Sequence, residues 1–160
     1  MARLLGIHIK NYRALADVRL GQVQYGNGTP LPRLTCLIGP NGSGKSTVLD
    51  AFGFVADCLL DGVEAACDKP WRGGFDRLRT QGEKGPISFE IFFEADDPAR
   101  PIVYQLLVDI VDGVPAAVEE TCRQRREGET RGKPYYFLKL KKGKGCLLYT
   151  SPSPRDVEES

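Results

Sequence analysis

The run Gly39-Pro40-Asn41-Gly42-Ser43-Gly44-Lys45-Ser46 constrains this chain more than any other stretch. It fits G-x-x-x-x-G-K-[ST], and its flanks supply the context that pattern needs. The apolar run before it, Leu34 to Ile38, reads as a buried strand. After it, Val48, Phe52, Val55 and Leu59 recur at three- and four-residue spacing, and Leu49, Ala56 and Leu60 widen the stripe, which predicts an amphipathic helix. The expected order is strand, glycine loop, helix.

That order explains the residue types. Gly39, Gly42 and Gly44 permit positive-φ turns that aim successive backbone N–H groups at one anion. The loop then delivers the anion to a helix N-terminus, where unpaired N–H groups and the helix dipole favour negative charge. Within this pattern Lys45 is expected to reach the β- and γ-phosphates of a nucleotide and to serve as the catalytic cation. The Ser46 hydroxyl is expected to ligate Mg²⁺, and Thr47 to bond a neighbouring phosphate oxygen. Pro40, Asn41 and Ser43 complete the expected binding loop, with ATP and Mg²⁺ as its ligands.

A length of 160 residues, 41% of them hydrophobic and 27% charged, suits one globular domain with a core. A net charge of +1 gives no global argument for nucleic acid. The N-terminus lacks a signal-peptide pattern and no apolar stretch is long enough for a bilayer, so the sequence reads as cytoplasmic. Cys36, Cys58, Cys67, Cys122 and Cys146 are widely spaced without a C-x-x-C pair, which favours free, mostly buried thiols over a zinc site or a disulfide framework.

In chain order, Arg3 to Lys10 predicts a strand with Leu5, Ile7 and Ile9 on one face and His8 on the other. His8 has no partner at ligand or triad spacing and receives no role. Asn11-Tyr12-Arg13 predicts a corner, Ala16 to Leu20 a returning strand, and Gly21 to Arg33 a long turn. Beyond the helix, Ile87 to Phe93, Tyr104 to Ile110, Ala116 to Arg123 and Tyr135 to Lys141 read as further strands, and Asp112-Gly113 marks a hairpin. One long helix among antiparallel strands differs from the strand–helix alternation of a nucleotide kinase or small GTPase.

Ile9-Lys10-Asn11-Tyr12-Arg13-Ala14-Leu15, followed by LTCLIGPNGSGKSTVLDAF, resembles the opening of AAA family ATPases of the RecF, SMC and OLD type, whose heads are ABC-like. Trp71-Arg72-Gly73-Gly74-Phe75-Asp76 resembles an RGGFDEL-type element that follows the first helix in many members. The resemblance implies an α/β P-loop NTPase fold, specifically lobe I of an ABC-like head: a phosphate-loop strand and helix with an antiparallel sheet, incomplete, over residues 1–144. It places Arg13 near the nucleotide, although a solvated corner residue explains Arg13 equally well. It further implies a head-to-head homodimer, DNA or a nuclease as partner, and ATP hydrolysis coupled to DNA repair, chromosome maintenance or anti-phage defence.

Such a head also needs an acidic residue ending a second apolar strand (the Walker B position), a carboxylate base and a signature motif, and none is visible here. Asp109 and Asp112 sit beside a hairpin turn and Gln105 lies mid-strand, so none of the three fills the gap. Two other readings share the loop: an ABC transporter's ATP-binding subunit, and a non-catalytic nucleotide-binding module.

Charge is uneven. Ile87 to Glu120 holds eight acids against Arg100, and Arg123 to Lys144 holds nine bases against Glu127 and Glu129. The basic segment can follow a phosphate backbone, but a wet edge strand or cross-strand pairing with the acidic segment gives the same pattern. The final stretch, residues 145–160, breaks the strand pattern. Its CLLYTSPSPRD closely resembles a translated sequencing adapter, which predicts a disordered, non-native tail on a reading frame that originally continued past Lys144; a genuine Ser/Pro tail has the same composition.

Overall fold

The computed structural model describes residues 2–129, 131–142 and 144–147. Ten elements follow in order: β1 (Arg3–Tyr12), β2 (Leu15–Gly21), α1 (Lys45–Asp61), α2 (Val63–Cys67), α3 (Phe75–Leu78), β3 (Ile87–Glu94), β4 (Ile102–Val111), β5 (Val114–Gln124), β6 (Tyr135–Lys141) and β7 (Lys144–Leu147). The strands form one sheet in the order β2-β1-β3-β4-β5-β6-β7, with every pair antiparallel. Adjacent hairpins build most of it. The one long excursion, between β2 and β3, carries all three helices to a single face of the sheet.

The hairpins form where the turn chemistry allows. Asp112 and Gly113 link β4 to β5 with φ of 52° and 83°, the left-handed pair that matches strand twist. Tyr12 pairs with Leu15 across a two-residue turn in which Arg13 takes φ 50°. The expected corner at residues 11–13 therefore starts later, because Tyr12 remains in the strand as a fully buried core residue.

Alternation sorts the strand side chains. Ile7, Ile9, Ile87, Phe89, Leu106 and Val108 join one core with Val48, Ala51, Phe54 and Val55 of α1. Phe54 packs between Tyr12 and Phe89, with ring centroids 5.5 and 5.7 Å away, and Tyr12 and Phe89 are themselves 5.4 Å apart. Tilted and edge-on rings at these distances add to the burial gain. On the opposite face, Leu5, Phe92 and Val103 make a small second cluster under Tyr25.

Three expectations need correction. Residues 34–38 are not a strand: Leu34 is 88% and Ile38 92% exposed, and no strand among the described residues pairs with them. An apolar run becomes a strand only beside a neighbour that satisfies its N–H and C=O groups, and no described strand lies alongside 34–38. The buried face of α1 is also rotated from the expected stripe. The sheet takes Val48, Ala51, Phe54 and Val55, leaving Leu49, Ala56, Leu59 and Leu60 exposed. This helix is apolar almost all round, so periodicity alone does not say which face the sheet selects. Cys36, finally, is exposed, because the run containing it is uncovered.

The sheet also extends to Leu147 through β7, three residues beyond the expected end of regular structure; residues 148–160 lie outside the described residues. The charge asymmetry becomes cross-strand pairing. Glu119 faces Lys141 in register, and Arg123 donates to Glu90 at 3.0 Å. Replacing Phe54 by Ala is expected to cost about 3–5 kcal/mol, read as a lowered urea midpoint for the whole chain in a single transition.

Candidate functional site

The glycine loop spans residues 39–44 and ends in α1. Gly42 and Gly44 take φ of 82° and 93°, where a side chain is strained. Gly39 is not in that region, so its glycine has a different reason. A Cβ built there meets Ser43 Oγ at 2.9 Å, so a side chain at position 39 would turn that hydroxyl aside. A Cβ on Gly44 meets Leu15 Cδ2 at 3.0 Å, so the loop's last turn rests on the start of β2.

Lys45 spans the loop. Its Nζ donates to the Gly39 carbonyl at 2.6 Å and the Pro40 carbonyl at 2.7 Å, with Ser43 Oγ at 3.5 Å. These bonds tie the loop's entrance to the first residue of the helix. Ser43 N–H closes a turn onto Pro40 O at 3.3 Å. The first N–H bonded within the helix is that of Val48, to Gly44 O at 3.0 Å. No side chain caps α1 and its first turn has no acid, so the N–H groups of Lys45, Ser46 and Thr47 lie at a positive helix end beside an ammonium. Such a donor set fits the phosphates of a nucleotide. Ser46, the second residue of α1, is exposed at this helix start.

Arg13 is brought to α1 rather than to the loop. Its Nε lies 3.5 Å from Asp50 Oδ2, and its Nη2 donates to the Trp71 carbonyl at 3.1 Å. Asp50 follows Ser46 by one helical turn, about 6 Å along the axis. Arg13 thus sits one turn behind the loop with its guanidinium 30% exposed.

Sequence reasoning missed the network around Asp50. Tyr12 Oη donates to Asp50 Oδ2 at 2.6 Å, and Arg72 Nη2 lies 3.5 Å from Asp50 Oδ1. Arg72, with a side chain only 2% exposed, also donates through Nη1 to Asp57 Oδ2 at 2.6 Å and to the Ala66 carbonyl at 3.0 Å, while its guanidinium lies over Phe54. Lys69 bonds Asp57 from the other side and reaches Asp61 at 3.3 Å. One guanidinium therefore bridges two carboxylates set two helical turns apart on α1. The signal available in the sequence was the spacing of Asp50, Asp57 and Asp61 on a helix followed by Lys69 and Arg72.

Electrostatics follow this geometry. Burial, then the bond to Asp50, raises the Tyr12 phenol far above its ordinary pKa, so it stays a donor. The Lys69 bond, with Arg72 assisting, holds Asp57 below the usual carboxylate range. Burial weighs against the charge of Arg72, and the bond to Asp57 with the nearby anions more than offsets it. Burial pushes Cys58 up to about 12 and Cys67 and Cys122 to about 11. These thiols stay protonated near neutral pH and are poor nucleophiles. Gln105 stands on β4 between Glu90 and Thr121, the row of the sheet face turned away from the helices.

A glycine loop feeding a helix N-terminus, with a lysine closing it, defines a P-loop NTPase domain of mixed α/β structure on an antiparallel sheet. Residues 34–134, well over half of the chain, match the family described as "AAA domain, putative AbiEii toxin, Type IV TA system", and the chain belongs to that family. It is also similar to structural maintenance of chromosomes protein 1B of Mus musculus and of Homo sapiens, each 69% identical over 26 residues. That stretch is 16% of this chain and 2% of each relative. No helix among the described residues is long and apolar enough to cross a membrane.

Replacing Arg72 by Met leaves Asp50 and Asp57 without their shared cation. Because Asp50 keeps Tyr12 and Arg13 and Asp57 keeps Lys69, the cost is expected to be about 1–3 kcal/mol, measured by urea unfolding, whereas Lys10→Met on the exposed sheet face should change the midpoint little.

Proposed function

We propose that the chain binds Mg-ATP through residues 39–47. Backbone N–H groups of the loop and of the first turn of α1 receive the phosphates, Lys45 pairs with the β- and γ-phosphates, and Ser46 and Thr47 complete the donor set with Ser46 on the metal. The observation that carries this reading is the pairing of Lys45 Nζ with the Gly39 and Pro40 carbonyls beside an uncapped, acid-free helix start. Arg13 is a second cation for the same ligand, held one turn behind the loop by a 3.5 Å contact that a phosphate can outcompete.

Residues 39–47 are assigned nucleotide binding, and not hydrolysis. Asp50, one turn from Ser46, is already engaged by Tyr12, Arg13 and Arg72, which supports assigning binding rather than water activation to this part. The chain spans only about 2% of the length of the curated relatives it matches, and they are named for the structural maintenance of chromosomes. Within the family reading, the intact protein would act as a head-to-head homodimer and couple ATP hydrolysis to DNA repair, chromosome maintenance or anti-phage defence, with DNA or a nuclease as partner.

Calorimetric titration with Mg-ATP tests the loop. Lys45→Ala should weaken binding by about tenfold to a hundredfold, the worth of one charge-assisted bond, with unchanged thermal unfolding; equal affinity in the two proteins would sink the assignment.

A further inference from the structure

The end of β1 changes partner at one residue. Up to Lys10, which pairs with Ser88, the strand runs beside β3. Beyond it, Tyr12 pairs with Arg79 and the Arg13 N–H donates to the Leu78 carbonyl at 2.6 Å, so the strand end has moved to the segment that closes α3. Asn11 stands at the change with φ 60°, a left-handed step inside a strand that asparagine tolerates better than most residues with a side chain. Simple alternation from Ile7 and Ile9 turns residue 12 away from the helices. The left-handed step resets that phase, and Tyr12 is fully buried in the core that contains α1.

The Asn11 side chain is fully engaged. It is 7% exposed; Nδ2 donates to the Gly85 carbonyl at 2.9 Å and the Pro86 carbonyl at 3.3 Å, and Oδ1 receives the Thr80 N–H at 3.2 Å. An ionised aspartate offers no donor to those two carbonyls. The two residues that follow, Tyr12 and Arg13, are the ones that reach Asp50, at 2.6 and 3.5 Å. Leu15, just past them, lies against the loop at Gly44. The corner after Asn11 therefore bears on the phosphate loop at one end and on α1 at the other.

We propose that Asn11 is a positioning residue for the nucleotide. By clamping residues 80–86 to the left-handed step, it keeps the Arg13 guanidinium one helical turn from the loop, within reach of the phosphates that residues 39–47 receive. Asn11 touches no ligand itself and acts through Arg13. This role rests on the Mg-ATP reading, in which Arg13 is the second cation.

Calorimetry with Mg-ATP on Asn11→Gly, Arg13→Ala and the double variant tests it, because glycine keeps the left-handed backbone and removes only the amide. Each single substitution should weaken binding about threefold to tenfold, the worth of one charge-assisted contact at a partly exposed site. The double variant should bind no more weakly than Arg13→Ala alone. Losses that multiply in the double variant, or unaltered affinity in Asn11→Gly, would overturn the proposal. Arg13 Nε is buried beside Asp50, so its N–H resonance should be visible in the unaltered chain and lost to water exchange in Asn11→Gly, with the amide resonances of Lys45, Ser46 and Thr47 unmoved. An Arg13 resonance that persists would also overturn it. That resonance is read without nucleotide: a chain that fails to bind Mg-ATP overturns the nucleotide reading, while the resonance still decides whether Asn11 holds Arg13. Should Asn11→Gly not fold, Asn11→Asp carries the test. Burial and the two facing carbonyls raise the pKa of that carboxyl, and its protonated form regains one donor, so affinity relative to the unaltered chain should recover between about pH 8 and about pH 5. A ratio that stays constant over that range would contradict the role of the amide.

Discussion

The seating of Phe54 between Tyr12 and Phe89 holds this structure together. It fixes the helix that begins at Lys45 against the two strands at the centre of the helix-bearing region, β1 and β3. Tyr12 acts twice in that contact. Its ring packs on Phe54, and its hydroxyl, one helical turn nearer the loop, bonds Asp50. Packing supplies most of the stabilisation, since three large aromatic side chains leave water together. The hydrogen bond supplies direction, because it fixes the rotation of α1 about its own axis and therefore where its N-terminal N–H groups point.

Charge is arranged around that contact in a compensating order. Asp50 and Asp57 occupy the side of α1 next to the core, where unpaired carboxylates would be costly, and Arg72 lies across both with its planar fork. A lysine in its place offers a single nitrogen rather than a fork whose two arms lie beside acids two helical turns apart. The adjoining Gly73 and Gly74, at φ 71° and 91°, turn the chain sharply after Arg72 and lead into α3. The exposed indole of Trp71, 64% accessible, is flanked by Lys69 and Arg72, while its carbonyl receives Arg13. Three segments distant in sequence thus meet behind the loop, and the helix start stays free of acids that would oppose an anion.

Much of this was legible in the sequence, for physical reasons. Ile87–Glu94 and Ile102–Val111 were legible because apolar residues recur at every second position on the face that packs against the helices. Asp112-Gly113 was legible because few residue pairs accept two positive φ values in succession. Leu34–Ile38 failed because strand formation is a property of pairs: an apolar run specifies a strand only where a partner exists. The buried side of α1 was misjudged because apolar residues such as Leu49 and Leu60 lie outside the face the sheet takes, and their spacing fits a stripe equally well. The Asp50–Arg72–Asp57 network was missed because its members meet through tertiary packing across twenty or so residues, and the spacing of the acids on the helix does not by itself name their partner. Gly39 was expected at a positive φ and does not take one; a Cβ there crowds only the rotatable Ser43 hydroxyl.

The central claim, that residues 39–47 cradle the phosphates of Mg-ATP, is tested most directly by mapping backbone amide shifts in nuclear magnetic resonance spectra as Mg-ATP is added. The account predicts the largest changes at Gly42, Gly44, Lys45, Ser46 and Thr47, with smaller ones reaching Arg13 and Asp50. Shifts absent from the loop, or concentrated instead around Leu31, Leu37 and Phe52 in an apolar cavity, would contradict it.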